Sequence, residues 1–289
     1  MSPVTETLLV LRRELRRNVR SAKGIALGVL TLLGALVSAL ICASIEGSER
    51  MNAGDVEAYV ELKRVAIQKM TGDAALADMM AHAPSSLLLF LKINIWLAPL
   101  LVALLGFDAV AGDLQNRTVR YWTPRVRRSS YFAGKLFGLW VTVALATLCI
   151  HVLADGVALT RGYIGWADLP RWGARFWMVG VVIAGAWVAV ATLLSATQRS
   201  PAGALLTTFA AFFSLWIAGV VGGVSHASET LSPDKSSPMR WFEYLYPNSY
   251  DALLLSPDAS KVLAGVGALL GFVALALVAG SAIFQARDV

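Results

Sequence analysis

The sequence predicts an all-α integral membrane protein with six transmembrane helices. Of its 289 residues, 57% are hydrophobic and only 15% are charged, which is too apolar for an ordinary soluble domain. Six stretches are almost free of charge over about 20 residues, the length that crosses a bilayer as a helix. Basic residues concentrate in two segments that flank these stretches, 1–23 and 107–135.

The six predicted spans determine on which side of the membrane each connecting segment lies. They cover residues 24–45, 87–107, 136–158, 174–196, 202–224 and 262–284. Since lysine and arginine are enriched in cytoplasmic loops, we expect segment 107–135 and both termini in the cytoplasm. The long loops 46–85 and 225–261 are then outside. The chain 1–289 would form a single transmembrane domain in the inner (plasma) membrane.

The net charge of +6 has a membrane interpretation. In a polytopic membrane protein a basic excess faces anionic lipid, so a lipid partner is expected and a nucleic-acid partner is not. Residues 1–23 mix arginines with leucines, which predicts an amphipathic helix on the inner membrane face. A plain basic flank that only sets topology is the alternative. In the first long loop, Val56, Val60, Ile67 and Met70 recur at roughly helical spacing, which predicts an amphipathic helix on the outer surface.

Segment 107–135 is more patterned than a topology signal requires. It reads FDAVAGDLQNRTVRYWTPRVRRSSYFAGK, with six basic residues against two acids. Residues 108–115 predict a continuation of the preceding helix, and 116–124 mix arginines with apolar and aromatic residues. Ser129 and Ser130 offer caps for the next helix. We expect a short interfacial element that presents arginines and aromatics to a cytoplasmic partner.

Several residues inside the spans invite a functional reading. His151 and Asp155 are four apart and share a helix face. One interpretation is a proton relay or metal site, but their place near the outer end favours a structural polar pair. Lys92 is expected to snorkel to the interface rather than line a pathway. Cys42 and Cys149 read as small core residues.

The sequence contains none of the motifs GxxxxGK[ST], HExxH or CxxC, so we expect no catalytic, cofactor-binding or metal-ligating residues. Gly267 and Gly271 form a GxxxG pattern in the sixth span, which is consistent with close helix packing.

Segment 107–135 resembles the central loop of the ABC-2 type permeases, the membrane subunits of a class of ATP-binding cassette transporters. The residues that carry the resemblance are Asp108, Ala111, Asp113, Asn116, Arg117, Thr118, Arg120, Tyr121, Arg125, Arg128, Gly134 and Lys135. The C-terminal run from Phe284 to Asp288 is similar to the aromatic-x-x-Arg-Asp ending of many such subunits. One departure is Asp113, where the family usually has glutamate.

The resemblance implies an exporter-like (type V) architecture with an interfacial N-terminal helix and a cytoplasmic coupling helix. Two copies of a separate ATPase would bind ATP and Mg and clamp beneath two permeases, paired as a homo- or heterodimer. The chain itself would hold no cofactor and would not be an enzyme. The implied coupling residues are Asp108, Asp113, Asn116, Arg117, Thr118, Arg120, Tyr121, Arg125 and Arg128, with Arg125 and Arg128 able to project from one face of a short turn.

Three functions compete at this point. The first is the permease of an exporter with an unidentified substrate. The second is an ATP-driven mechanical transmitter that moves an extracytoplasmic partner without passing cargo, which the predicted outer helix motivates. The third is a stand-alone secondary transporter or membrane enzyme. Intramembrane charges would support that third function, and the spans contain almost none.

Overall fold

The computed structural model describes residues 2–122, 125–231 and 238–287, and the regular structure within these ranges is helical. In chain order the helices are α1 (Pro3–Arg20), α2 (Ala22–Ala53), α3 (Val56–Thr71), α4 (Ala74–Ala81), α5 (Ser85–Gly106), α6 (Ala111–Gln115), α7 (Val119–Trp122), α8 (Arg128–Thr160), α9 (Ala174–Thr197), α10 (Pro201–Leu231), α11 (Asp251–Leu254) and α12 (Ala259–Gln285). A π-helical turn, Leu169–Gly173, precedes α9, and two 3-10 segments, Pro238–Leu245 and Pro247–Tyr250, precede α11.

Six of the helices in the described ranges are long and apolar enough to cross a membrane: α2, α5, α8, α9, α10 and α12. Helix α9 forms the centre of the bundle, because it packs against α5, α8, α10 and α12. Its residues Ile183 and Trp187 are fully buried. Helices α2 and α10 instead expose large apolar side chains such as Leu33 and Phe213. The chain is therefore a multi-pass membrane protein, as the hydropathy pattern predicts.

The helices extend beyond the predicted spans. Helix α2 continues to Ala53, and α8 begins at Arg128, eight residues before the predicted span 136–158. Eight helical residues are about 12 Å long. The hydropathy pattern therefore predicts the apolar part of each helix, whereas the helix itself continues into polar sequence. We call the end of the molecule that carries segment 107–135 the basic end.

The first long loop contains the end of α2 followed by α3 and α4. The predicted amphipathic helix is present as α3. The prediction that Val56 belongs to its packed face is wrong, because the Val56 side chain is 75% exposed. Tyr59 is buried instead, and its hydroxyl hydrogen-bonds Ser85 at 2.6 Å. The side chain of Met70 lies outside the described ones.

Two further expectations fail inside this chain. Cys42 is buried as predicted, but Cys149 is exposed on the side of the bundle. A Cβ atom added at Gly267 or at Gly271 would meet no atom within 4 Å. Both glycines therefore lie away from the chain's own helix contacts, because α12 packs through the face that carries Leu269 and Ala276.

Candidate functional site

Helix α1 packs lengthwise along the first turns of α8. A Cβ at Gly134 would lie 2.5 Å from Cβ of Val10, and one at Gly138 would lie 2.7 Å from Cβ of Glu14. These two glycines therefore leave the room that α1 occupies. The predicted N-terminal helix is confirmed, but one of its faces contacts protein rather than lipid or water.

Helix α8 is capped by α1 and not by its own serines. Its N-cap residue is Arg127, whose backbone N–H donates to the Glu6 carboxylate at 3.0 Å. This hydrogen bond lowers the pKa of Glu6, with partial opposition from burial. The prediction that Ser129 and Ser130 cap the helix is wrong, because both already lie inside it.

Four charged side chains meet where α1, α6 and α8 come together; we call Glu14, Arg17, Asp113 and Lys135 the buried charge cluster. Nζ of Lys135 lies 2.7 Å from Oε1 of Glu14 and 2.5 Å from Oδ2 of Asp113. Arg17 completes the ring through Nη2 to Glu14 at 2.7 Å and Nη1 to Asp113 at 3.2 Å. The Tyr131 hydroxyl also donates to Asp113. Two acids and two bases leave the cluster formally neutral.

Asp113 is one of the implied coupling residues, but it does not belong to the exposed surface of segment 107–135. Its side chain is buried and is fully engaged by the chain's own Lys135, Arg17 and Tyr131. Asp108 likewise contacts the chain itself, since its Oδ1 lies 2.7 Å from Nζ of Lys23. Both acids of segment 107–135 therefore position that segment against α1, α2 and α8.

The surface of the segment is formed by its later residues. Helix α6 ends at Gln115, and Arg117 has a positive φ of 54° in the turn that leads to α7. Val119 is completely buried and anchors α7. Asn116, Arg117, Arg120, Tyr121 and Arg125 are exposed, and Thr118 is half-buried with its Oγ1 donating to the Asp113 carbonyl at 3.4 Å. The segment thus presents arginines and a tyrosine on an anchored turn.

Arg128 differs from the other predicted coupling residues. Its Nη1 donates to the carbonyl oxygens of Gln285 and Arg287, both at 2.8 Å. Arg287 in turn donates to the carbonyl oxygen of Gln198 at 3.0 Å. Arg128 therefore holds the C-terminal residues at the basic end, and it does not share a free face with Arg125.

The aromatic residue of the C-terminal signature packs at the same place. Phe284 is fully buried, and its ring stacks on Tyr131 with centroids 5.3 Å apart. In the structure the tail covers the tyrosine that donates to the buried charge cluster.

The side chains of His151 and Asp155 contact different partners. Nδ1 of His151 lies 2.8 Å from the Thr147 carbonyl oxygen, and its ring meets Phe90 edge-on. The Asp155 carboxylate lies against Gly173, where a Cβ would come within 2.4 Å of it. This arrangement agrees with the structural reading of the pair.

Lys92 forms an ion pair instead of only snorkelling. Its Nζ lies 2.5 Å from Oδ2 of Asp251, at one end of a cleft of about 740 Å³ between α5 and α10. Trp96, Trp216 and Tyr246 line the same cleft. The cleft is apolar, and it carries a charged pair at its border.

Sequence reasoning missed Glu14, Arg17 and Tyr131, although a signal for the first was present. Glu6 and Glu14 are the two acids in the otherwise basic segment 1–23, and their spacing of eight places them on one helix face. An acidic stripe on a basic helix predicts a protein contact on that side. The basic partner of Glu14, Lys135, belongs to segment 107–135.

These features define a multi-pass membrane protein with an arginine-rich element mounted at its basic end. The model of the ABC-2 family transporter proteins matches residues 8–289, and the chain belongs to that family. It is the membrane (permease) subunit of an ABC transporter, a class that associates with an ABC ATPase and dimerises. A comparison with curated proteins gives no match.

Proposed function

We propose that this permease couples ATP hydrolysis by a separate cytoplasmic ATPase to the export of a substrate. The observation that carries the proposal is the exposed, anchored turn formed by residues 116–121 together with Arg125, which we call the coupling element. Its arginines and Tyr121 are exposed, whereas Val119 at its centre is completely buried.

The chemistry of the coupling element suits a protein partner. Arginine forms oriented, bidentate bonds to carboxylates, and arginine and tyrosine are enriched among the residues that dominate binding energy. An element that transmits force must also be fixed to the spans that it moves. The buried charge cluster supplies this attachment. Asp113 of α6 pairs with Arg17 of α1 and with Lys135 of α8, and Lys135 also pairs with Glu14 of α1.

The remaining parts of the proposal follow from position. By the positive-inside rule, the basic end would lie in the cytoplasm and the spans would cross the inner (plasma) membrane. Two ATPases would then lie beneath two permeases, paired as a homo- or heterodimer in an exporter-like (type V) assembly. ATP and Mg would be bound by the ATPase, and the permease alone would have no ATPase activity. The cleft of about 740 Å³ between α5 and α10 offers a place for cargo.

Charge reversal in the coupling element tests this proposal. Arg120→Glu and Arg125→Glu are each expected to weaken capture of the cognate ATPase in detergent without anionic lipid. The loss should be about 2–5 kcal/mol where the contact is desolvated. Arg199→Glu is the matched control, since Arg199 is exposed on the neighbouring turn between α9 and α10. Undiminished capture by both coupling-element variants, with normal ATP turnover of the complex, would reject the docking role.

A further inference from the structure

A cavity of about 340 Å³ lies beneath α3, at the end of the molecule opposite the basic end. The last turns of α2 contribute Glu46 and Arg50, α3 contributes Tyr59 and Lys63, and Tyr163 lies at one side. Ligand pockets in proteins start at about 300 Å³. The cavity therefore has room for a small organic molecule.

Lys63 is the most exceptional group in this cavity. Its Nζ donates to the carbonyl oxygen of Ala83 and lies 5.2 Å from the centre of the Tyr59 ring. Burial lowers the pKa of Lys63 to about 8, although the charges of Glu46 and Glu49 act in the opposite direction. A partly desolvated ammonium with a carbonyl and a ring as partners is stabilised by an added anion.

The carboxylates near Lys63 are committed to other groups. Glu46 is completely buried and accepts hydrogen bonds from Nε of Arg50 at 3.0 Å and from the Ser86 backbone N–H at 2.9 Å. Glu49 accepts from the Tyr59 hydroxyl at 3.1 Å and is exposed, so water screens its charge. Neither forms an ion pair with Lys63.

Arg50 adds a second cation to the same wall. Its Nε and Nη2 are used by Glu46, and its guanidinium carbon lies 4.8 Å from the centre of the Tyr163 ring. Within the described residues, Nη1 of Arg50 has no acceptor. The wall thus offers donors from two cations beside two aromatic rings, and a carboxylate attached to an apolar group matches both.

We propose that this cavity is a binding site for a small organic monocarboxylate, held by Lys63 and Arg50 with its apolar part against Tyr59 and Tyr163. A single negative charge fits better than two, because Glu46 and Asp55 also line the cavity. The site is remote from the coupling element. Its test needs no ATPase, so it stands or fails separately from the proposed function.

The test of the site is a calorimetric measurement of benzoate binding to the purified chain at pH 7. Benzamide, the neutral analogue, is expected not to bind. Lys63→Gln should weaken benzoate binding roughly tenfold or more, and Lys63→Arg should retain most of it. Lys69→Gln is the matched control, because Lys69 is an exposed lysine on the same helix.

The pH profile gives a second readout. The charged and titratable groups around Lys63 are Glu46, Glu49, Arg50, Asp55, Tyr59, His82 and Tyr163. Burial raises the pKa of Tyr59 to about 12, so it stays neutral near pH 8. Loss of the Lys63 proton should lower benzoate affinity about tenfold between pH 7 and pH 9, and His82→Gln should show the same fall.

Three results would overturn the site: no benzoate binding up to about 10 mM, equal binding of benzamide, or unchanged binding by Lys63→Gln. If that variant fails to fold, the wild-type chain with ¹³C-methylated lysines replaces it. Benzoate should then shift the Lys63 methyl resonance and benzamide should not. An unmoved Lys63 resonance would also reject the proposal.

Discussion

Replacing Lys135 by methionine tests the buried charge cluster. The Lys135 side chain is 0% exposed, and its partners Glu14 and Asp113 are 2% and 7% exposed. Removing the ammonium leaves two buried carboxylates with only Arg17 between them. Breaking a buried ion pair by removing one partner costs about 3–5 kcal/mol. Release of α1 from α8 relieves this cost, because it returns Glu14 to water.

The measurement is native-state hydrogen exchange of the α1 amides in the detergent-solubilised protein, which reports local opening. Lys135→Met should lower the free energy of α1 opening by about 3–5 kcal/mol, up to the stability that α1 has. Lys23→Met is the matched control: its pair with Asp108 is about one-third exposed on both sides. Loss of such a pair costs about 0–1 kcal/mol.

A double variant separates charge from packing. Glu14→Gln combined with Lys135→Met leaves Arg17 and Asp113 as a balanced pair, so α1 should recover about 1–3 kcal/mol relative to Lys135→Met alone. Equal effects of Lys135→Met and Lys23→Met, or no recovery in the double variant, would refute the reasoning.

Two further predictions concern α1. Gly134→Ala places a Cβ 2.5 Å from Cβ of Val10 and should destabilise the α1–α8 contact by about 1–3 kcal/mol. In the control Gly267→Ala, the added Cβ meets nothing within 4 Å, so this variant should be neutral or stabilising in the same exchange measurement. Equal effects of the two substitutions would contradict the packing of α1 against Gly134. The lowered pKa of Glu6 means that its contribution to stability is present above its ordinary pKa of 4.5 and is lost as pH falls through the lowered value. The melting temperature of the wild type should therefore be higher than that of Glu6→Gln at pH 7, and the two should converge below pH 4.5. A difference in melting temperature that does not change with pH would contradict the capping role of Glu6.

The sequence predicts the spans well because crossing a bilayer demands about 20 apolar residues in a row, and that demand is local. The pairing of Glu14 with Lys135 depends on contacts between residues 121 apart in the chain, which hydropathy does not report. Asp113 illustrates the same limit, since an acid in a polar loop looks exposed until its buried partners are known. The prediction that Cys149 is a core residue is wrong for the converse reason, because an apolar position in a span faces lipid as readily as protein.

The motif of segment 107–135 predicts one coupling role for the whole segment, and the structure divides its residues into two groups. The motif combines residues that hold the segment in place, such as Asp113 and Arg128, with residues that it exposes, such as Arg120 and Tyr121. Only the packing of α1 and of the C-terminal residues separates these two groups.

Site-specific photo-cross-linking tests the central claim most directly. A photoreactive side chain would replace Tyr121, which is 75% exposed in the coupling element, or Trp166, which is 79% exposed in the connection between α8 and α9 at the other end. In membranes that contain the cognate ATPase, we expect position 121 to cross-link to the ATPase and position 166 not to do so. A cross-link from position 166, or none from position 121 in an assembled and active complex, would contradict the account.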